Sequence, residues 1–133
     1  MVLAQTPAWR VVRVDDPNYP GFCRVILNAH VREMSDLPLA ERQQLMSVVF
    51  AVEETVRALF QPDKINLACF GNMVPHVHWH IIPRWNNDRH FPEPIWGKVH
   101  NQTFTSHAIV SNELLISTLR KILSEQTIEL GKE

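Results

Sequence analysis

His76-Val77-His78-Trp79-His80-Ile81-Ile82-Pro83-Arg84 is the stretch that decides this chain. Three histidines stand at i, i+2 and i+4, with apolar residues between them. On a β-strand a period of two sends the three imidazoles to one face and Val77, Trp79 and Ile81 to the other. The chain carries seven histidines in 133 residues, so three on one strand face call for a chemical purpose.

Working outward, Lys64 to Phe70 reads as a strand, Gly71 to Pro75 as a connection and His76 to Pro83 as the next strand. So short a connection implies an antiparallel pair. Upstream, Leu45, Val48, Val49, Val52, Val56, Leu59 and Phe60 follow i, i+3, i+4 spacing, with Arg42, Glu53, Glu54 and Arg57 mainly on the remaining face. This predicts an amphipathic helix of about twenty residues, with Pro38 in its first turn and its end near Gln61-Pro62. Trp9 to Val14 and Phe22 to Leu27 read as two further strands, separated by the turn-rich Asp15-Asp16-Pro17-Asn18-Tyr19-Pro20-Gly21. After Arg84 the pattern dissolves until about residue 107. A final helix is expected from Ser111, a good N-cap, to about Gln126. The order β-β-α-β-β-loop-α predicts an α+β domain with one antiparallel sheet and helices on one side.

Composition narrows the function classes. At 133 residues the chain fits one domain able to bury its own core. A net charge of -1 argues against a broad basic surface for nucleic acid and leaves room for a small ligand held by a few directed donors. The two cysteines, Cys23 and Cys69, form no C-x-x-C pair, which excludes a thiolate-built structural zinc site. Both sit in apolar runs, as buried free thiols would, and a reducing cytoplasm suits them. The longest apolar run, Val48 to Val52, is far short of a membrane span, and the N-terminus lacks a signal-peptide pattern. A cytoplasmic protein without a membrane partner is expected.

Three chemistries compete for the histidine row. Two histidines at i, i+2 can chelate one metal ion, but a third at i+4 lies about 13 Å from the first on a straight strand and cannot close the same shell. A zinc site would need another ligand, such as His30, His90, His100 or Asp88. A purely structural row would leave one strand face polar without a purpose. Nucleophilic catalysis on phosphorus accounts for all three rings. A neutral imidazole is a competent nucleophile near pH 7, and its neighbours can fix its tautomer and donate to phosphate oxygens.

The row also matches His-φ-His-φ-His-φ-φ, with φ apolar, and so resembles the histidine triad signature of the HIT superfamily. Supporting matches are Tyr19-Pro20-Gly21 before a strand, Asn66 on the strand before the triad, Gly71 in the connection and Ile82-Pro83-Arg84 after it. Leu67 to His76, together with Phe91-Pro92-Glu93-Pro94-Ile95-Trp96-Gly97, looks like a bacterial branch. The resemblance implies a single HIT domain over residues 1–133, with a sheet of about five strands, a long helix and a C-terminal helix. It implies a nucleotide hydrolase or nucleotidyl transferase, acting on dinucleoside polyphosphates or nucleoside phosphoramidates and needing no cofactor or metal. His78 would attack the α-phosphorus, His76 would fix its orientation, and His80 would bind phosphate oxygens and assist the leaving group. Asn66, Asn72 and Gly71 would line the phosphate side. Asp15 (or Asp16) would hold the ribose. Homodimerisation is implied as well.

Two positions depart from the family pattern. Phe22 stands where many HIT enzymes carry a supporting histidine, and His30 matches a more peripheral one. Gly71-Asn72-Met73 replaces a Gly-Gln-Ser or Gly-Gln-Thr phosphate contact, and Met73 has no hydroxyl. A nucleotide-binding protein with weakened catalysis is therefore an alternative. Trp79 is expected to point into the core, Trp96 to complete a substrate site or a dimer contact, and Arg84 and Arg89 to meet a polyphosphate or simply solvent.

Overall fold

The computed structural model describes residues 1–102, 109–126 and 128. Five strands form one antiparallel sheet: β1 (Val2–Gln5), β2 (Trp9–Arg13), β3 (Cys23–Leu27), β4 (Lys64–Ala68) and β5 (His78–Arg84), in the order β1-β2-β3-β5-β4. The helices are α1 (Leu39–Phe60) and α2 (Asn112–Glu125). Four strands and both helices lie where the sequence pattern puts them. The fifth, β1, has too few alternating residues to stand out and is made by pairing with β2 across an irregular register between Val2 and Ala4.

Strand alternation divides the sheet into two faces. Val11, Cys23, Val25 and Ile81 join Leu45, Val48, Val49, Val52 and Val56 of α1 and Leu115, Leu119 and Leu123 of α2 in one buried core. Truncating any of these leucines to alanine would cost about 2–5 kcal/mol. The opposite face carries a small cluster of Tyr19, Phe22 and Ile82, with Val14 and Ile95 against it. Beside that cluster the polar residues of β5 emerge.

Local chemistry sets the element ends. Pro38 is the N-cap of α1, one residue before the first turn, and its carbonyl accepts from Arg42 N. Gln61 closes the helix in the left-handed region at φ 48°. Ser111 caps α2, its side chain accepting from Leu114 N at 3.1 Å, as expected for an N-cap serine. Gly21, at φ +89°, ends the turn before β3, and a Cβ there would lie 2.8 Å from the Phe60 ring. Only glycine fits both constraints.

Candidate active site

Register places the residues of one sheet face in rows. His78 lies opposite Ile26; His80 lies between Arg24 of β3 and Ala68 of β4; Ile82 lies opposite Asn66. The histidine row is shorter than the sequence suggests, because β5 begins at His78 and not at His76. His76 sits in the approach, its N–H donating to Val74 O, and Val77 N donates to Val31 O. Trp79, by contrast, faces away as expected, packing against the core and donating Nε1–H to Met34 Sδ.

The departure of His76 from the strand gives it a specific task. Its backbone carbonyl accepts from His78 Nδ1 at 2.7 Å. A carbonyl can only accept, so the His78 proton lies on Nδ1 and the Nε2 lone pair is left available. The contact of His76 with the His78 imidazole thus runs through its main chain. Its own ring is held by a hydrogen bond from Nε2 to Leu27 O, and by His30, whose ring meets it edge-on at 4.9 Å. His30 thereby braces the site from behind.

His80 is 5% exposed, and its Nδ1 accepts from Arg24 Nε at 3.2 Å. Its ring lies 5.1 Å from that of His78. Burial first, then the Arg24 charge and His78, push its pKa down to about 4, so His80 is neutral at pH 7. Phe22, standing where other family patterns have histidine, is buried beside it at 5.9 Å and carries the Arg24 guanidinium over its ring at 5.6 Å. Sequence reasoning missed Arg24. Its signal was a charged residue inside the alternating apolar strand Cys23-Arg24-Val25-Ile26-Leu27.

An aromatic and apolar rim surrounds the histidines. Trp96 meets His80 at 5.1 Å and Phe70 at 4.9 Å, and both Trp96 and Phe70 are more than half exposed. This puts Trp96 at the site. A cleft of about 170 Å³ is lined by Phe70, Gly71, Asn72, Met73, Val74 and His78. Gly71 turns the chain there at φ +70°, and Asn72 stands exposed on its wall. Met73 is 96% exposed and contributes apolar surface where a hydroxyl was expected to be missing.

Further along the same face lies a second polar group of a different kind. Arg84 donates to Asp88 through Nε (2.7 Å) and Nη2 (3.0 Å), to Asn66 Oδ1 through Nη1 (2.8 Å) and to Glu93 O through Nη2 (2.6 Å). Asp88 also accepts from Trp85 N, His90 N and Phe91 N. The Tyr19 hydroxyl lies within hydrogen-bond reach of Asp88 Oδ1 and of His90 Nδ1. Burial, then the Asp88 charge, raises the Tyr19 phenol to about 12. Arg84 is therefore neither solvated nor facing a polyphosphate, because it is 2% exposed and four of its five N–H donors are used within the protein. Two of the residues considered as zinc ligands, Asp88 and His90, are committed to protein partners. Asn66 is held with its oxygen toward Arg84, which leaves its Nδ2 donors to face elsewhere. Asp15 lies exposed in the turn after β2, outside this network, while Asp16 caps Asn18 N. Arg89 contributes its carbonyl, accepting from His100 N and Asn101 N.

Comparisons with known proteins agree with this geometry. A histidine triad protein from Bradyrhizobium japonicum superposes with a TM-score of 0.72 at 30% identity, over 91% of this chain and 88% of that one. One from Marinobacter aquaeolei does so with a TM-score of 0.71 at 28% identity, over 94% and 89%. An AP-4-A phosphorylase of Mycobacterium tuberculosis is 28% identical over 87 residues, 61% of this chain and 45% of that protein. A bis(5'-adenosyl)-triphosphatase of Saccharomyces cerevisiae is 32% identical over 75 residues, 52% and 36% respectively. The chain thus spans less than half the length of these curated relatives. The HIT domain family model matches residues 1–87, covering the sheet, α1 and the strand that carries His78 and His80. With the triad, its register and most of the chain inside that match, this protein belongs to the HIT domain family.

Proposed function

We propose that this protein is a nucleotide hydrolase or nucleotidyl transferase working at the α-phosphorus through a covalent nucleotidyl-His78 intermediate. The observation that carries this reading is the hydrogen bond from His78 Nδ1 to His76 O, which presents Nε2 as an unprotonated nucleophile. In the first step Nε2 forms a bond to phosphorus and the bond to the leaving group breaks, its electron pair departing with that group. Water then attacks the same phosphorus, the P–N bond breaks, and a nucleoside monophosphate leaves while the imidazole is regenerated. Asn66 Nδ2, the Asn72 amide and the Gly71 backbone are the donors offered to the phosphoryl oxygens, and the Asp15 or Asp16 carboxylate accepts from the ribose hydroxyls. Dinucleoside polyphosphates come first as substrates, because two relatives are named for them. Nucleoside phosphoramidates come second. The working unit is a homodimer in this reading, and light scattering of the purified protein tests that part separately.

A rival reading makes the protein a nucleotide binder with weakened catalysis, and it draws on Phe22 beside His80 and on the exposed Met73. Rapid quenching during turnover, followed by intact-protein mass spectrometry, separates the two. The enzyme reading predicts a nucleotide adduct on wild-type protein and none on His78→Ala. Turnover by His78→Ala at the wild-type rate would remove the nucleophile assignment.

A further inference from the structure

Arg24 has no place in the mechanism above, yet among the described residues it makes the one hydrogen bond that holds the His80 ring. The guanidinium is a permanent cation with five donors and no acceptor. Its Nε–H can therefore be received at His80 Nδ1 only while that nitrogen is unprotonated. The remaining ring proton must then lie on Nε2. Protonating Nδ1 would break the hydrogen bond and set two cations against each other in a nearly closed pocket. The register brings the two side chains together, since Arg24 and His80 are directly paired across β3 and β5. The Phe22 ring beneath the guanidinium holds it in place.

The other described surroundings of His80 are apolar or aromatic and supply no anion to pair with an imidazolium. Across β4 it meets Ala68, and from the loops Phe22, Phe70 and Trp96. Among the described residues, the charged or titratable groups acting on it are Arg24 and, on its own strand, His78. No carboxylate is among them.

We propose that Arg24 is the positioning residue that fixes the His80 proton on Nε2, making His80 a neutral hydrogen-bond donor and not an acid. The consequence rests on the reaction proposed above and concerns its leaving group. When a phosphoanhydride is cleaved, the P–O electron pair departs on a phosphate oxygen, which is stable as an anion and needs no proton. When an alkylamine phosphoramidate is cleaved, the P–N pair must be captured by a proton, and His80 in this state has no surplus proton to give. Arg24 thus tilts the site toward dinucleoside polyphosphates and away from amine leaving groups.

Histidine NMR on the intact, isotope-labelled protein tests the assignment without any turnover. Wild-type His80 is expected to be neutral with its proton on Nε2 at pH 5.5. In Arg24→Met its titration should move up toward the ordinary histidine range, and Arg24→Lys, which keeps a cationic donor, should restore much of the wild-type behaviour. A His80 that titrates identically in wild type and Arg24→Met overturns the positioning role. So does a wild-type His80 carrying its proton on Nδ1. In parallel, the ratio of kcat/KM for an alkylamine phosphoramidate to that for a dinucleoside polyphosphate should rise about tenfold at pH 6 in Arg24→Met. An unchanged ratio beside a changed titration overturns the leaving-group consequence. Should neither substrate react with wild type, the reaction reading falls, and the NMR result still decides the role of Arg24.

Discussion

The two ends of strand β5 carry polar side chains on the same face and treat them in opposite ways. At the Arg84 end nearly every donor and acceptor is used within the protein: one guanidinium, one carboxylate, three backbone N–H groups, a phenol and an amide close on one another. At the His78 end the His78 and His80 rings each have one nitrogen fixed by the protein and, among the described residues, no partner for the other, beneath a half-exposed aromatic rim. Buried polar groups cost free energy unless paired, so full pairing marks a structural device. Incomplete pairing in a cleft marks a place for a ligand. The same strand serves both because its alternation delivers every second side chain to one face, whatever its task.

The sharpest break of this comparison is His78→Ala. It should lower turnover by about 10⁴-fold or more, the scale for loss of a nucleophile, while stability shifts by no more than about 0.5 kcal/mol. A large drop in the urea midpoint would mean that the site end is structural after all. Asp88→Ala should do the reverse, costing about 3–5 kcal/mol in urea unfolding, because it leaves Arg84 as an unpaired buried cation.

Acid should separate the two ends in sequence. Folded His80 titrates near 4 whereas an unfolded histidine titrates near 6.5, so the unfolded chain binds the extra proton between those values. Stability should therefore fall as pH drops from about 6.5 to about 4, and His80→Gln should flatten that window. Burial works against ionising Asp88, but hydrogen bonds from Arg84, Trp85 and Phe91 and the Arg84 charge outweigh it and hold the carboxyl below its usual range. Its contribution is present above an unfolded value of about 3.9 and is lost as pH falls further. Asp88→Asn should flatten only that lower window. The smallest effect belongs to the rim: Trp96→Ala should raise KM about fivefold, roughly 1 kcal/mol of aromatic contact, with kcat and stability nearly unchanged. A fall in kcat alone would give Trp96 a different job.

Much of this was legible in the residues. The period of two forecast that His78 and His80 share a face and that Trp79 turns inward. The helical spacing from Leu45 to Phe60 located α1 within a residue or two. What escaped depends on pairing that a linear pattern does not contain. β1 has only two buried residues and exists because β2 offers it an edge. His76 left the strand because the ladder with β3 ends at Ile26 and His78, and so its carbonyl, not its ring, meets His78. Arg84 looked like a surface cation because Asp88, four residues on, sits past the strand end, where only the turn brings it back. Arg24 lay 56 residues from the histidine it holds.

The two thiols give this protein a built-in optical handle. Cys23 is wholly buried and its thiol is pushed up to about 12 by that burial, so it will not react with a maleimide under native conditions. Cys69, expected from its apolar run to be buried, is exposed just past the end of β4. Its thiol is also raised, chiefly by partial desolvation from the atoms around its sulfur, so labelling calls for mildly alkaline buffer. A fluorophore attached there would go on at a single position without mutagenesis, and a change in its emission on adding a nucleotide would test whether one binds near His78.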